Sequence, residues 1–245
     1  MSAAPRRRAL VTGGTRGIGL AIAHRLLADG LGVVATYAHD EDAADEARAA
    51  ARAHGWPLSV VRCDATAPAA VERLFASDAG GPLEVLVHAA GFTRDRFLMF
   101  LPDRDLDDLL AVHLTGAFLA SRHALPPMLA AQWGRIVYLV SATALLGRPG
   151  QTNYAAAKAG LIGLCRALAR EVGAAGVTVN CVSAGLVETR LTADLAPAVR
   201  DELIAAIPLG RPGRPEEIAA VVGFLCSERA GYITGQVIGA DGGLT

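Results

Sequence analysis

The chain has 245 residues, 52% of them apolar and 19% charged, with a formal net charge of −1. That balance excludes a disordered polyelectrolyte and gives no long-range attraction to nucleic acid or to an anionic membrane. No apolar run reaches the roughly 18 residues of a membrane-spanning helix, and Arg6-Arg7-Arg8 meets Thr12-Gly13-Gly14 too soon to open a secretion signal.

Residues 1–7 read as a flexible tail. From Ala9 onward, short β-branched runs alternate with longer Ala-rich amphipathic stretches. Strands are predicted at Ala9–Thr12, Gly32–Tyr37, Leu58–Cys63, Val85–His88, Arg135–Val140, Val177–Val182 and Gln236–Gly239. Helices are predicted at Ile18–Ala28, Asp42–Ala53, Pro68–Ala76, Leu106–Leu129 and Ala155–Val172. This alternation implies an α/β fold of βαβ units, with a parallel sheet covered by helices on both faces. The strand cores carry few charges, as burial on both faces requires. Gly80-Gly81-Pro82 reads as a turn rather than a domain boundary. The segment 184–215 follows a strand's carboxyl end and has no strand of its own, so it reads either as a lid over the substrate or as a packed connector. The four cysteines, Cys63, Cys165, Cys181 and Cys226, form no CxxC pair. Buried free thiols in a reducing, cytoplasmic setting are expected, with no metal site.

The first strand runs straight into Gly13-Gly14-Thr15-Arg16-Gly17-Ile18-Gly19. Glycines let the backbone turn tightly beside a dinucleotide's pyrophosphate, whose charge then meets a helix N-terminus. An acid at the end of the second strand would hold a ribose 2′-hydroxyl and select NAD. Here that strand ends Thr36-Tyr37-Ala38, with no carboxylate. Arg16 can face a 2′-phosphate, so the expected cofactor is NADPH/NADP+. Asp40, slightly further on, is the one residue that argues the other way.

Tyr154 and Lys158 lie four apart in a helical stretch, hence on one face. A free phenol titrates near 10, and a nearby ammonium favours the phenolate and lowers that value. Reduction of a ketone needs hydride at carbon and a proton at oxygen. Tyr154 is the expected proton donor, Lys158 its tuner and a ribose ligand. Ser141, at the end of the fifth strand, is expected to hydrogen-bond the substrate carbonyl.

On these residues the chain resembles the classical short-chain dehydrogenase/reductases, from about Arg8 to Gly243, and in particular their 3-oxoacyl-(acyl-carrier-protein) reductase branch. The resemblance also rests on Asp64, Thr93-Arg94-Asp95, Asn153–Gly163, Gly185–Thr189 and Tyr232–Gly235. It implies a single Rossmann-like domain spanning 1–245, with a seven-stranded sheet, commonly a homotetramer. Asp64 and Ala65 would then meet the adenine, and Ala89, Ala90 and Gly91 would line the cofactor. Val187 and Thr189 would hold the carboxamide. The family's catalytic helix Asn corresponds to His113, whose side chain is expected beside Lys158, with a pKa below 6.5 and added pH sensitivity. The family's Asn-Asn-Ala-Gly appears as His88-Ala89-Ala90-Gly91, which implies lost side-chain bonds along that strand. The two basic positions that dock a carrier protein are Gln132 and Ala175 here, leaving Arg135, Arg166 and Arg170 as candidates.

The expected reaction is reduction of a 3-oxoacyl thioester, on an acyl carrier protein of fatty-acid, polyketide or pigment synthesis. Two alternatives stay open. One is a reductase or dehydrogenase of a small free ketone, alcohol or acetoacetyl-CoA. The other is a weakly active subunit in a mixed oligomer with a related chain.

Overall fold

The computed structural model describes residues 7–77, 81–193 and 195–245. Strands β1 (Arg8–Thr12), β2 (Gly32–Tyr37), β3 (Leu58–Arg62), β4 (Val85–His88), β5 (Gly134–Ser141), β6 (Val177–Ala184) and β7 (Val237–Ala240) form one sheet. Their order is β3-β2-β1-β4-β5-β6-β7, and every neighbouring pair is parallel. The direction of winding reverses between β1 and β4, where Thr12 pairs with His88. A crevice opens at such a reversal, beyond the carboxyl ends of the two strands.

Period-two alternation sorts the strand residues between two apolar layers. Leu10, Leu86, Ile136, Tyr138 and Val140 point to one face. There they meet α3 (Pro68–Ala76), α5 (Gly116–Ala131) and α7 (Thr152–Val172), the last preceded by the single turn α6 (Thr143–Leu146). Ala9, Val11, Val85, Val87, Val137 and Leu139 point to the other face, against α1 (Gly17–Ala28) and α10 (Pro215–Leu225). Helix α2 (Glu41–His54) covers the β3 end with Ala43, Ala44, Ala47 and Ala51, small enough to let it approach closely. The buried Tyr138 hydroxyl is satisfied by Ser121 Oγ at 2.6 Å, as a phenol inside a core requires.

The helix expected over Leu106–Leu129 is helical throughout, but it carries a π-turn that its pattern does not announce. Helix α4 (Asp103–Leu110) passes through a π-helical turn, Ala111–Thr115, into α5. Hydrophobic period alone cannot reveal an extra residue inserted into a helix. Such π-turns re-aim side chains and gather at functional sites, and this one carries His113.

The expected tail also needs correction at one residue. Residues 1–6 lie outside the described part, as do 78–80 with the first glycine of the expected turn. Arg7, however, pairs with Glu228 at 2.6 Å and lies over the Trp133 ring at 3.7 Å. The four cysteines are free and buried. Among the described residues no helix is long and apolar enough to cross a membrane, and no cluster of three potential metal ligands occurs.

Candidate active site

The crevice between β1 and β4 is floored by the glycine loop. Gly13 has φ +65°, and a Cβ there would stand 2.8 Å from Ala90 Cα. At Gly19 a Cβ would lie 2.1 Å from the Gly13 carbonyl oxygen. Any larger residue would force the loop off β4 or off α1. Gly14, Thr15, Arg16, Gly17 and Ile18 complete the turn, and the first turn of α1 carries no acid. Its free N–H groups and positive dipole end therefore suit a pyrophosphate.

Thr12 ties the loop to β4. Its hydroxyl donates to His88 Nδ1 (2.9 Å) and accepts from the Ala89 and Ala90 N–H groups (3.2 and 3.3 Å). His88 Nε2–H donates to the Val112 carbonyl in the π-turn at 3.2 Å. The loss of side-chain bonds expected along this strand is therefore made good at His88, while Ala89 contributes only its backbone. An imidazole reaches further than an Asn side chain and braces β1, β4 and the π-turn together.

Asp64 and Ala65, expected to meet adenine, lie just beyond the end of β3. Asp64 Oδ1 accepts from Thr66 N–H and Oγ–H (2.9 and 2.8 Å), which fixes the turn. Ala65 packs against the start of α5, close to Gly116. Across the crevice, a Cβ on Gly17 would be 3.6 Å from the Thr189 methyl, so Thr189 faces the glycine loop. The Val187 side chain is buried in the core, which leaves only its backbone to meet a ligand.

The segment 184–215 holds two short helices, α8 (Arg190–Ala193) and α9 (Pro197–Ala205). Its base is closed by backbone bonds from Gly213 to Leu186 (2.8 Å) and from Glu188 to Gly213 (3.0 Å). Asp40 is not a free loop acid. It caps α2 through Ala43 N–H at 3.0 Å and pairs with Arg16 at 3.2 Å. Those bonds hold its carboxyl below the usual range, the cap first among them.

Ser141, Tyr154, Lys158 and His113 converge above this floor. The end of β5 presents Ser141, and the early turns of α7 present Tyr154 and Lys158. The Ser141 hydroxyl neighbours the Tyr154 phenol. Burial raises that phenol to about 12, the Ser141 hydroxyl pulls it down, and the charge of Asp95 pushes it up. The lowering expected from Lys158 is absent. Its ammonium lies 5.7 Å from the Tyr154 ring centre and donates to the Leu139 carbonyl at 2.7 Å. Burial penalises that charge so strongly that Lys158 falls to about 7.

His113 is fully inside the site. Its ring stands edge-on to Tyr154, with centres 5.2 Å apart. Nε2–H donates to the Phe92 carbonyl at 2.8 Å, which leaves Nδ1 bare as an acceptor. Nδ1 is buried without a protein partner and lies against Gly91. His113 is therefore close to Lys158 but not bonded to it. Burial and the Lys158 charge drive its pKa to about 2, so the ring is neutral.

Two features of the site escape a linear reading. One is the chain Thr143–Gln151–Asp95, bonded at 3.0 and 2.7 Å, which joins the turn after Ser141 to the start of α7 and the 93–95 loop. The other is Arg190, whose guanidinium reaches Asp40 at 3.8 Å. Neither has a local signal, because each depends on segments distant in sequence. Arg135 fails as a docking candidate. It is buried and donates to the Ser227, Gly134 and Gly176 carbonyls. Arg166 and Arg170 are exposed on α7, and Gln132 ends α5 in a left-handed conformation.

Residues 13–245 match the family model described as enoyl-(acyl carrier protein) reductase. The 3-oxoacyl-(acyl-carrier-protein) reductase FabG of Aquifex aeolicus is 40% identical over 237 residues, 96% of each chain. The corresponding reductase MabA of Mycobacterium tuberculosis is 41% identical over 242 residues, 97% of this chain and 92% of its own. FabG of Pseudomonas aeruginosa is 43% identical over 239 residues, 96% of each. Similarity over nearly the whole length, on a seven-stranded parallel sheet that brings serine, tyrosine and lysine to its switch-point crevice, means that this chain belongs to the short-chain dehydrogenase/reductase family.

Proposed function

We propose that the chain reduces a 3-oxoacyl thioester, carried on an acyl carrier protein, to the 3-hydroxyacyl thioester with NADPH. The observation that carries this reading is the neighbouring Ser141 and Tyr154 hydroxyls, with Lys158 behind them, above a glycine loop shaped to take a dinucleotide. When bound, the dinucleotide supplies hydride to the carbonyl carbon. Ser141 and Tyr154 present two hydroxyls to the carbonyl oxygen, and Tyr154 gives it a proton. Burial keeps that phenol protonated at neutral pH, the form a donor needs. Lys158 orients the ribose and replaces the tyrosine's proton. Gly13 to Gly19 cradle the pyrophosphate, Arg16 faces the 2′-phosphate, Asp64 and Ala65 meet adenine, and Val187 and Thr189 hold the carboxamide. Residues 184–215 serve as the lid.

The family model's description names reduction of a carbon–carbon double bond, whereas the relatives' names describe reduction of a ketone. The ketone reading is favoured, because two hydroxyls clustered at one point suit a reacting oxygen rather than a reacting carbon. Thioester carriage is taken from the relatives' names. Assembly as a homotetramer fits the exposed face of α5 and α7. Phe118 and Leu129 are half-exposed there, beside the small exposed residues Ala156, Ala159 and Gly163, the kind of patch that marks an interface.

The test is NADPH oxidation across 3-oxoacyl thioesters on carrier protein, the same acyl groups on coenzyme A, and free ketones. Fastest turnover on carrier-bound substrates is expected. Turnover confined to free ketones would overturn the reading, and none with any of them would favour the partner-subunit alternative.

A further inference from the structure

Arg190 stands at the root of the 184–215 segment, yet its side chain crosses to the end of β2. Nη1 lies 3.8 Å from Asp40 Oδ2, the same oxygen that Arg16 Nη1 meets at 3.2 Å. Its Nη2 also lies 4.0 Å from Glu46. Two guanidinium groups from segments far apart in sequence thus converge on one carboxylate, beside a strand that ends without an acid of its own. Asp40 is held in place from below by its cap on α2. Both arginines are largely exposed, 58% for Arg16 and 72% for Arg190. Each guanidinium has five N–H donors and spends few of them here. Exposed ion pairs of this kind hold little energy. A phosphate dianion, with more charge and more acceptor oxygens, competes well for the same donors. The neighbouring Thr189 faces Gly17, where an added Cβ would stand 3.6 Å from its methyl, so the start of the segment lies close to the glycine loop.

We infer that Arg190 is a second cofactor-specificity residue, which joins Arg16 on the 2′-phosphate of NADPH and so couples cofactor choice to seating of the 184–215 lid. This deepens the cofactor reading proposed above and rests on it. In the free chain Asp40 occupies the two cations. With the 2′-phosphate present, the guanidinium groups turn to it, and the lid's first helix follows Arg190. NADH offers only a hydroxyl at that point, so it leaves Arg190 on Asp40 and Glu46.

The experiment titrates NADPH and NADH separately into the full-length chain and into Arg190→Ala, Arg190→Glu and Arg16→Ala, by calorimetry. Limited proteolysis of the 184–215 segment accompanies each titration. Arg190→Ala should weaken NADPH about tenfold, as loss of one charge-assisted phosphate contact does, and change NADH less than about twofold. Arg190→Glu should weaken NADPH further. NADPH should protect the segment from protease better than NADH does, and that difference should vanish in Arg190→Ala. Equal weakening of both nucleotides by Arg190→Ala would reduce Arg190 to packing and overturn the inference, as would no weakening of either. Failure of the underlying cofactor reading looks different. The unaltered chain would itself bind NADH as tightly as NADPH, and Arg16→Ala would not discriminate between them. Arg190 is exposed and outside the core, so its variants should melt like the parent chain.

Discussion

At Tyr154, burial raises the phenol's pKa while the neighbouring Ser141 hydroxyl lowers it. The resulting group, near 12, is a protonated donor throughout the neutral range. Tyr154→Phe keeps the ring but removes the proton, so turnover should fall by about 10²–10⁴-fold while NADPH affinity persists. Single-turnover rates beside nucleotide titration check this, and near-normal turnover would rule Tyr154 out as the acid. A second residue-scale expectation concerns Asp40. If its carboxylate merely competes with the 2′-phosphate for Arg16, Asp40→Asn should tighten NADPH and leave NADH nearly unchanged. Were Asp40 instead a ribose ligand, the same substitution would weaken NADH. Asp40 read from sequence alone is ambiguous between these roles, because only its cap and its ion pair reveal how it is held.

The element that shapes the catalytic centre is the π-turn between α4 and α5. Its extra residue aims His113 inward and leaves the Val112 carbonyl to the side chain of His88. The fit is close: a Cβ on Gly91 would come within 2.1 Å of His113 Cε1. His113 is 1% exposed and bonded to the Phe92 carbonyl, so its ring cannot simply swing aside. Gly91→Ala should therefore destabilise the chain by about 1–3 kcal/mol through overpacking. In a His113→Ala background the same substitution should cost clearly less, because the contact is gone. Denaturant melts of the four proteins give the coupling, and strict additivity would mean that the ring and Gly91 do not compete for space.

Across the whole molecule, the buried histidines make stability depend on pH. Burial lowers His88 to about 3 and His113 to about 2, against 6.5 when exposed. Below pH 6.5 the unfolded chain takes up these protons and the folded chain does not. Stability should therefore be full above 6.5 and fall as pH drops, by about 1.4 kcal/mol per pH unit for each such histidine. His24 is shifted the same way, less strongly. Carboxylates with lowered pKa, such as Glu217, add their own loss only below about pH 4.5. The window from 6.5 to about 4.5 thus belongs to the histidines. His113→Asn should flatten the slope there by one proton, read from urea melts at several pH values. An unchanged slope would mean that His113 titrates normally in the folded chain. The acid limb of activity expected for this residue moves out of reach, since a pKa near 2 lies beyond any working pH. Lys158 acts at the other end. With a folded pKa near 7, it adds stability as pH rises from 7 toward its unfolded value.

The alternation of apolar runs, the glycines after the first strand and the spacing of Tyr154 and Lys158 needed only local chemistry to be read. Backbone propensity, side-chain period and turn geometry act over a few residues, so they are written in consecutive positions. Strand ends differ from expectation by a residue or two, as where β6 runs on to Ala184, because pairing with β5 extends it. The tertiary structure alone decided that the long helix takes a π-turn, that Arg135 is buried, that His88 braces three elements, and that Arg190 meets Arg16 over Asp40. Each of these depends on residues tens to more than a hundred positions apart, brought together by the winding of the sheet. Burial, hydrogen-bond partners and the pKa shifts that follow from them are properties of that assembled neighbourhood, and no stretch of the chain carries them by itself.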